Sequence, residues 1–320
     1  MTEPAFSARR RGLLAACLGA AALAACGRPS HAARIGLALG SGGARGLAHL
    51  PMLETFDELG IRPHRLAGTS IGAVFAALYA TGLNGAEIRR RITPLIPEAG
   101  NGRDEGLDLL GPLRLLEILQ PTLAGGGLLS GDAPMRFIAD ILPARRFAEL
   151  QVPLRLVATD LETGAPVVMH DGDLLEAIRA SIAVPGLFPP VQRRGRHLVD
   201  GGVANPLPYD LLQSSCDAVV AVDVSGDGFD EADGEEPSFA GVLMRSVHAA
   251  SRNLIAGKLA CNPPDLYIHP KIRNVRMLEF YKAERIFAEA EPARRKLRRG
   301  LARLTGQRFP GCSLSADRAG

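Results

Sequence analysis

Residues 65–80 have the sequence RLAGTSIGAVFAALYA, and this stretch decides both the fold and the chemistry that the sequence predicts. Arg65–Gly68 is typical of a short strand, and Ile71–Ala80 of a helix. Between them lies a GxSxG pattern, which places Ser70 on a sharp turn whose crowding the flanking glycines relieve. The following helix points its N-terminal amides toward charge developing near this serine. Because GxSxG is common by chance in a glycine-rich chain, the strand–turn–helix context carries the prediction that Ser70 is a nucleophile.

Apolar strands alternate with helical stretches on both sides of this segment. Further strands are predicted at Arg34–Leu39, Leu154–Ala158, Ala218–Val224 and Leu266–His269. Further helices are predicted at Leu47–Leu59, Leu174–Ser181, Phe239–Lys258 and Glu279–Arg303, with one more near Leu113–Leu119 in a loop-like stretch over residues 100–135. This alternation predicts an α/β fold whose parallel or mixed sheet is covered by helices on both faces.

A glycine cluster, GSGGARG at residues 40–46, follows the first predicted strand. Stacked glycines allow successive backbone N–H groups to converge on one anion, which is either a phosphate or an oxyanion. A tight strand-to-helix turn is the simpler alternative. The cluster is not a P-loop, because no Lys-Ser or Lys-Thr follows it, and it is not a Rossmann fingerprint, because Arg45 stands where the third glycine should be.

Asp200-Gly201-Gly202 follows the apolar pair Leu198-Val199 and supplies a candidate base for Ser70. In isolation an Asp before two glycines is more often a turn residue. No histidine has a distinctive setting, although His170 and His197 lie in plausible loops. An Asp can itself act as base when it lies within hydrogen-bond reach of the serine hydroxyl.

The composition excludes several classes of protein. The chain has 320 residues, of which 47% are hydrophobic, and this excludes wholesale disorder. The balance of 37 basic against 34 acidic residues, together with 5% aromatics and no Trp, gives no footprint for nucleic acid. The acidic stretch Asp227–Glu236 lacks the ordered ligand spacing of a calcium loop. Of the five cysteines, the three beyond the N-terminal segment are Cys216, Cys261 and Cys312, and they show neither metal spacing nor a disulfide framework. We therefore expect no metal site and no nucleic-acid partner.

The N-terminus predicts export. Arg9–Arg11 form a positive region before an apolar run from Gly12 to Ala25, which is shorter than the about 20 residues a membrane span needs but suits a signal peptide. The run ends in Leu23-Ala24-Ala25-Cys26, which resembles the lipobox of bacterial lipoproteins and implies cleavage before Cys26 and its lipidation. Gly27 then favours the outer over the inner membrane. An ordinary signal peptide and an uncleaved tethering helix are the alternatives.

Three motifs in a fixed order resemble those of the patatin-like phospholipase family: GSGGARG at 40–46, GTSIG at 68–72 and DGG at 200–202. The resemblance extends over about Ile35 to Ala290. Further blocks that agree with it are Ala158–Leu161, Ala180-Ser181 through Pro185–Pro189, Asn205–Pro208 and Met277–Phe280.

The resemblance implies a three-layer α/β/α sandwich around a central, mostly parallel sheet. It also implies a Ser–Asp dyad, with Ser70 as nucleophile and Asp200 as base. Gly42 and Gly43 would supply oxyanion-hole amides, with Arg45 shaping their loop. The remaining motif glycines are Gly40, Gly46, Gly68, Gly72, Gly201 and Gly202. Ser41 stands where the family often has glycine, which leaves the donor set open.

These inferences give an expected organisation and function. We expect a lipoprotein-type signal over residues 1–25, a linker over 26–34 and a catalytic domain over 35–225. An acidic loop and helical extension, packed on that domain, should occupy 226–305, before a disordered tail over 306–320.

The expected activity is hydrolysis of phospholipid or lysophospholipid esters without a metal or organic cofactor, by a lipid-anchored protein on the periplasmic side of the cell envelope. Leu187 and Phe188 would line the acyl channel or belong to the core. The alternatives are a general esterase or thioesterase and a non-catalytic lipid-binding lipoprotein.

Overall fold

The computed structural model of the chain describes residues 33–96, 129–227 and 239–306. The predicted signal peptide, Cys26, the helix near Leu113–Leu119, the acidic stretch beyond Asp227 and the C-terminal tail lie outside the described residues. No helix in the described part of the chain combines the length and apolarity needed to cross a membrane.

A mixed sheet of eight strands forms the centre of the fold, with the order β5-β6-β3-β2-β1-β7-β8 and with β4 paired to β3. The strands are β1 (Ile35–Leu39), β2 (Arg65–Thr69), β3 (Leu154–Asp160), β4 (Pro166–Met169), β5 (Val191–Arg193), β6 (Arg196–Asp200), β7 (Ala218–Val222) and β8 (Leu266–Ile268). Neighbours from β3 through β2, β1 and β7 to β8 are parallel, whereas β4, β5 and β6 pair antiparallel. All five residues of β1 are buried, as expected of a strand covered on both faces.

Eight α-helices flank the sheet within the described residues. They are α1 (His49–Glu58), α2 (Ile71–Ala80), α3 (Gly85–Ile92), α4 (Asp132–Ile141), α5 (Leu174–Ser181), α6 (Asp210–Gln213), α7 (Phe239–Cys261) and α8 (Ala283–Thr305). Short 3-10 helices lie at Gly43–Ala48, Thr93–Leu95, Phe147–Glu149, Gly201–Val203 and Phe280–Lys282.

The two faces of the sheet bury separate cores, because successive strand side chains point to opposite faces. Leu37 and Leu39 belong to the larger core, which they share with α1, α2, α5 and α8. Ala38 belongs to a smaller core with Leu212 of α6 and Ile255 of α7. The architecture is therefore the expected three-layer α/β/α sandwich around a mostly parallel sheet.

The sequence missed several elements. The antiparallel strands β4 and β5 and the helix α3 were not predicted, although α3 begins with a capping box in which Asn84 and Glu87 bond each other's backbone. The loop predicted over residues 100–135 is wrong at its end, where α4 begins at Asp132. The buried residues Met135, Ile138 and Ile141 of α4 recur at helical spacing. The Gly and Pro residues around them obscured this pattern in the sequence.

Strand register brings the three motifs together. Leu39 at the end of β1 lies beside Gly68 of β2 and Val222 of β7, so the turns after these parallel strands meet at one edge of the sheet. Thr69 pairs with Val157 of β3, and the next residue of β3, Ala158, pairs with Asp200 of β6. Asp200 therefore reaches this edge from an antiparallel strand.

Candidate active site

Ser70 occupies a strained turn between β2 and α2. Its backbone has φ 57° and ψ −126°, a left-handed conformation that non-glycine residues rarely adopt. A Cβ atom added at Gly72 would lie 2.2 Å from the Leu39 carbonyl oxygen. A Cβ atom added at Gly68 would lie 2.6 Å from the Gly72 carbonyl oxygen. Glycine at both positions is therefore required for the turn to close, with Ser70 only 8% exposed.

Asp200 holds the hydroxyl of Ser70. Ser70 Oγ donates to Asp200 Oδ2 at 2.5 Å, and the Gly202 amide donates to Asp200 Oδ1 at 2.6 Å. The Asp200 backbone is itself fixed, because its N–H donates to the Ala183 carbonyl at 2.8 Å. Gly201 is needed here, since a Cβ would lie 2.2 Å from the Val157 carbonyl oxygen. Each carboxylate oxygen thus accepts one hydrogen bond, and Oδ2 accepts its bond from the Ser70 hydroxyl.

The protonation of Asp200 is set by its surroundings. Burial raises its pKa from 3.8 to about 6, and the hydrogen bonds from Ser70 and Gly202 oppose the rise. At neutral pH the carboxylate is therefore ionised and able to accept the Ser70 proton, while its basicity is greater than that of an exposed Asp.

The glycine loop presents backbone donors to the same place. Three of its amides are occupied: Gly40 N–H donates to Val222 O at 2.9 Å, Ser41 N–H to Pro206 O at 2.9 Å and Ala44 N–H to Met277 O at 2.7 Å. Within the described residues the amides of Gly42 and Gly43 have no such partner, and both glycines line the cavity that contains Ser70. The Ser41 amide is thus excluded as an oxyanion donor, whereas those of Gly42 and Gly43 remain available.

Close packing explains the glycines of this loop. A Cβ would lie 2.4 Å from the Val224 carbonyl oxygen at Gly42, and 2.7 Å from the Met277 carbonyl oxygen at Gly43. At Gly46 it would lie 2.3 Å from Ile71 Cγ2, so this glycine allows the loop to approach α2. Gly40 is also tight, with its Cβ position 3.0 Å from Leu207 Cδ1.

Arg45 connects the glycine loop to the C-terminal part of the chain. Its side chain is buried, donates through one terminal nitrogen to Val275 O at 3.2 Å, and lies with the other 3.4 Å from His248 Nδ1. Burial lowers the pKa of Arg45 to about 10, so the guanidinium stays charged at neutral pH. These contacts fit the loop-shaping role that the resemblance implied.

Ser181 is a site residue to which the sequence assigned no role. Its hydroxyl accepts the Ser70 N–H at 3.0 Å and donates to Val157 O at 2.6 Å. The Ser70 amide is therefore occupied. The only signal in the sequence was the place of Ser181 in a block shared with the resembled family.

A cavity of about 290 Å³ opens over Ser70, Asp200 and the glycine loop. Most of its walls are apolar, from residues that include Val74, Phe75, Leu78, Phe137, Ile138 and Phe280. Leu187 and Phe188 line it as well, and their place in an acyl channel stays a prediction. An apolar chamber that ends in a serine–carboxylate pair suits an acyl chain with its carbonyl at the serine.

The histidines named from sequence lie elsewhere. His170 and His197 are exposed and do not line the cavity, whereas His248 of α7 does. His248 has no distinctive setting in the sequence, because it contacts Arg45 only through the tertiary fold. Among the described residues no cluster of three or more His, Cys, Asp or Glu suits a metal ion.

Comparison with known proteins shows the family of the chain. The family model for patatin-like phospholipases matches residues 37–212, a range that includes Ser70 and Asp200. An uncharacterized NTE family protein of Mycobacterium tuberculosis is 34% identical over 226 residues, which are 70% of this chain and 58% of the relative. The human patatin-like phospholipase domain-containing protein 6 is 32% identical over 193 residues, 59% of this chain but 13% of that protein. The chain thus spans less than two thirds of either relative.

Among solved structures, VipD from Legionella pneumophila is 15% identical, with a TM-score of 0.46 over 82% of this chain and 67% of that chain. The family match therefore rests on the sequence between Leu37 and Leu212, which carries all three motifs.

Proposed function

Because the chain belongs to the patatin-like phospholipase family, we propose that it is a serine acyl hydrolase that cleaves carboxylic esters of phospholipids or lysophospholipids. The observation that carries this proposal is the 2.5 Å hydrogen bond from Ser70 Oγ to Asp200 Oδ2 at the end of an apolar cavity. A nucleophile within hydrogen-bond reach of its base is the arrangement that nucleophilic catalysis needs.

In the first half of the reaction, Ser70 Oγ attacks the acyl carbonyl carbon while Asp200 takes the hydroxyl proton. The carbonyl oxygen becomes an oxyanion, which the amides of Gly42 and Gly43 stabilise by hydrogen bonding. As the tetrahedral intermediate collapses, the bond to the leaving alcohol breaks and Asp200 returns the proton to that oxygen. The products of this half are the free alcohol and an acyl ester on Ser70.

In the second half, water attacks the acyl-Ser70 carbonyl and Asp200 takes a proton from the water. Collapse of the second intermediate releases the fatty acid, and the proton returns to Ser70 Oγ. Every proton transfer uses the same carboxylate, so a single base with a pKa near 6 serves both halves.

A substrate panel tests this proposal against a general esterase or thioesterase and against a non-catalytic lipid-binding protein. The purified chain is incubated with phospholipids, lysophospholipids, short-chain esters and thioesters, and the products are identified by mass. We expect fatty acid release from the phosphate-bearing lipids and labelling of Ser70 alone by a fluorophosphonate. Turnover confined to short esters or thioesters would favour a general esterase or thioesterase. Lipid binding without turnover and without fluorophosphonate labelling would favour a non-catalytic lipid-binding protein.

We also propose that the protein is anchored to the cell envelope through lipid on Cys26, a position outside the described residues. Support comes from the apolar run before Leu23-Ala24-Ala25-Cys26. Acyl chains contribute about 0.8 kcal/mol per buried methylene, so more than one chain gives stable anchoring beside a lipid substrate.

Membrane fractionation with palmitate labelling tests the anchor. The Cys26→Ala variant should lose the label and leave the membrane fraction. Cys17→Ala is the matched control, since Leu14-Ala15-Ala16-Cys17 has the same letters, and it should behave as wild type. A soluble, unlabelled wild-type protein would refute the anchor and leave the hydrolase proposal intact.

A further inference from the structure

One wall of the cavity includes a histidine that the mechanism does not use. His248 of α7 lines the cavity, and its Nε2 is shielded from solvent without a hydrogen-bond partner among the described residues. A buried polar nitrogen without a partner is costly, and in native proteins such a group usually has a reason. A ligand that fills the cavity is the candidate partner for this nitrogen.

The contact with Arg45 decides which ring nitrogen carries the proton. The guanidinium of Arg45 lies 3.4 Å from His248 Nδ1, and an arginine can only donate. Nδ1 must then be the acceptor, so a neutral ring carries its proton on Nε2. The nitrogen without a partner is consequently an N–H donor.

The surroundings keep the ring neutral. Burial, together with the positive charges of Arg45 and Arg252, lowers the pKa of His248 to about 4, and the nearby Asp223 carboxylate opposes this shift. The ring therefore donates from Nε2 throughout the physiological pH range. Because the effect of the Arg45 and Arg252 guanidinium groups on this ring outweighs that of the Asp223 carboxylate, the acceptor that this region favours is an anionic oxygen.

His248 belongs to the polar end of the cavity, next to the dyad. Ser251 lies about one turn further along α7 and also lines the cavity, and its hydroxyl donates to Gly202 O at 2.7 Å. Gly202 in turn holds the Asp200 carboxylate. This face of α7 thus packs against the Asp200 loop, whereas apolar side chains such as Phe75 and Phe137 line the acyl part.

We propose, on the basis of the hydrolase function above, that His248 is a substrate-binding residue whose Nε2–H donates to a phosphate oxygen of the lipid head group. The acyl chain fills the apolar part of the cavity, its carbonyl lies at Ser70, and the phosphate lies against α7. His248 then determines the preference for phosphate-bearing over uncharged lipid esters. Arg45 acts on this preference through the ring, by holding the tautomer.

A binding experiment in the Ser70→Ala background tests this role without turnover. The probes are an ether analogue of lysophosphatidylglycerol and the 1-O-alkylglycerol of the same chain length, titrated calorimetrically below their micelle concentrations. His248→Leu should weaken binding of the phosphate probe about tenfold or more and leave the alkylglycerol unchanged, since one hydrogen bond to a charged group is lost. His248→Gln, whose side-chain amide keeps a donor near the Nε2 position, should recover most of the loss.

The exposed His170→Leu variant is the matched control and should bind both probes as the parent does. Nitrogen-15 NMR of the histidine rings should show the Nε2–H tautomer at His248, with a shift on adding the phosphate probe but not the alkylglycerol. This readout does not depend on whether the Leu variant folds.

Three results would overturn the proposal: an unchanged preference between the probes in a folded His248→Leu variant, an Nδ1–H tautomer, or binding of neither probe. If the wild-type chain hydrolyses no ester while the His248-dependent preference is present, the hydrolase function fails and the phosphate site stands. If hydrolysis occurs and the preference for the phosphate probe is independent of His248, the hydrolase function stands and the phosphate site at His248 fails.

Discussion

The turns that follow β1 and β2 are both rich in glycine and both end neighbouring parallel strands, yet their backbone donors differ. In the turn after β1, the amides of Gly42 and Gly43 have no partner among the described residues, and both residues line the cavity. In the turn after β2, the Ser70 amide is bonded to Ser181 Oγ at 3.0 Å. The first turn can therefore bind an anion, whereas the second positions a side chain. Glycine content alone does not distinguish these roles, because the partners of the amides decide them.

The same two turns differ in where backbone strain falls. Gly43 has φ +58° and Ser70 has φ +57°, almost the same value. Glycine adopts this conformation without steric cost, whereas a serine there costs about 1–3 kcal/mol. The fold accepts strain at residue 70, where a hydroxyl is needed, and avoids it at residue 43, where only an amide is needed.

The largest expected effect comes from removing the dyad of the second turn. Ser70→Ala and Asp200→Asn should each lower kcat/KM for ester hydrolysis by about 10⁴-fold or more, because the nucleophile or its base is lost. Exposed positions provide matched controls, and Ser214→Ala and Asp171→Asn should retain activity. Full activity in Ser70→Ala would show that the turn after β2 does not supply the nucleophile, and full activity in Asp200→Asn would show that Asp200 is not its base.

Thermal unfolding of the Asp200→Asn variant should show that its loss of activity does not come from a loss of stability. Burial raises the pKa of Asp200 from 3.8 to about 6, so the folded protein binds this proton more tightly than the unfolded chain. The contribution of Asp200 to stability therefore falls as the pH rises from about 4 to 6, and above that the ionised group costs up to about 3 kcal/mol. Asp200→Asn should consequently unfold at the same or a higher temperature than wild type at pH 8.

The next effect concerns the donors of the first turn. Gly43→Ala should lower kcat by about 10²–10³-fold, since its Cβ would lie 2.7 Å from Met277 and displace a donor amide. Gly60→Ala is the matched control, because Gly60 has φ +64° with nothing within 4 Å of its Cβ position. It carries the same conformational penalty and should keep its activity. Near-normal turnover in a folded Gly43→Ala variant would make the loop structural only.

A smaller effect separates the turns by pH. The base of the dyad titrates and backbone amides do not, so kcat/KM should fall about tenfold per pH unit below an apparent pKa near 6. Gly43→Ala should lower the plateau of this profile without moving its midpoint. A flat profile between pH 4 and 8, measured on an uncharged ester, would contradict the role of Asp200 as base.

The smallest effect measures the strain itself. Ser70→Gly should be more stable than Ser70→Ala by about 1 kcal/mol, because glycine adopts the left-handed conformation without strain. The greater conformational entropy of glycine in the unfolded chain offsets part of this gain. Chemical denaturation of the two inactive variants measures the difference. At Ser214, where φ is −78°, the order should reverse, with glycine the less stable. The same order at both positions would show that residue 70 is unstrained.

Local patterns in the sequence were sufficient for the parallel half of the fold. The helices predicted at Ile71–Ala80 and Leu174–Ser181 have those bounds, and the strand predicted at Arg34–Leu39 begins one residue later. Long apolar runs between glycines carry such signals. The antiparallel strands β4 and β5 have four and three residues and are partly exposed, so their sequences carry no comparable pattern.

The candidate site divides in a similar way. Ser70 and the glycine loop were found from local spacing, and Asp200 was chosen as base from its order among three motifs. The structure places Ser70 and Asp200 in contact, and their catalytic roles stay predictions. Ser181 and His248 received no role, because a serine before a loop and a histidine in a long helix carry no local signal.

The turn after β2 follows in part from local sequence, because some of its crowding is between residues close in the chain. A Cβ at Gly68 would lie 2.6 Å from the Gly72 carbonyl oxygen, and Ser70 between them has φ 57°. Gly72, in contrast, is required by the Leu39 carbonyl oxygen of the neighbouring strand β1, a contact that depends on the folded sheet. Which groups meet across the sheet also depends on tertiary packing. The register of an antiparallel strand brings Asp200 to a serine 130 residues earlier, and the packing of α7 sets His248 against Arg45. Which amides and ring nitrogens are left for a ligand follows from those contacts, since a donor is available only when no other part of the chain has taken it.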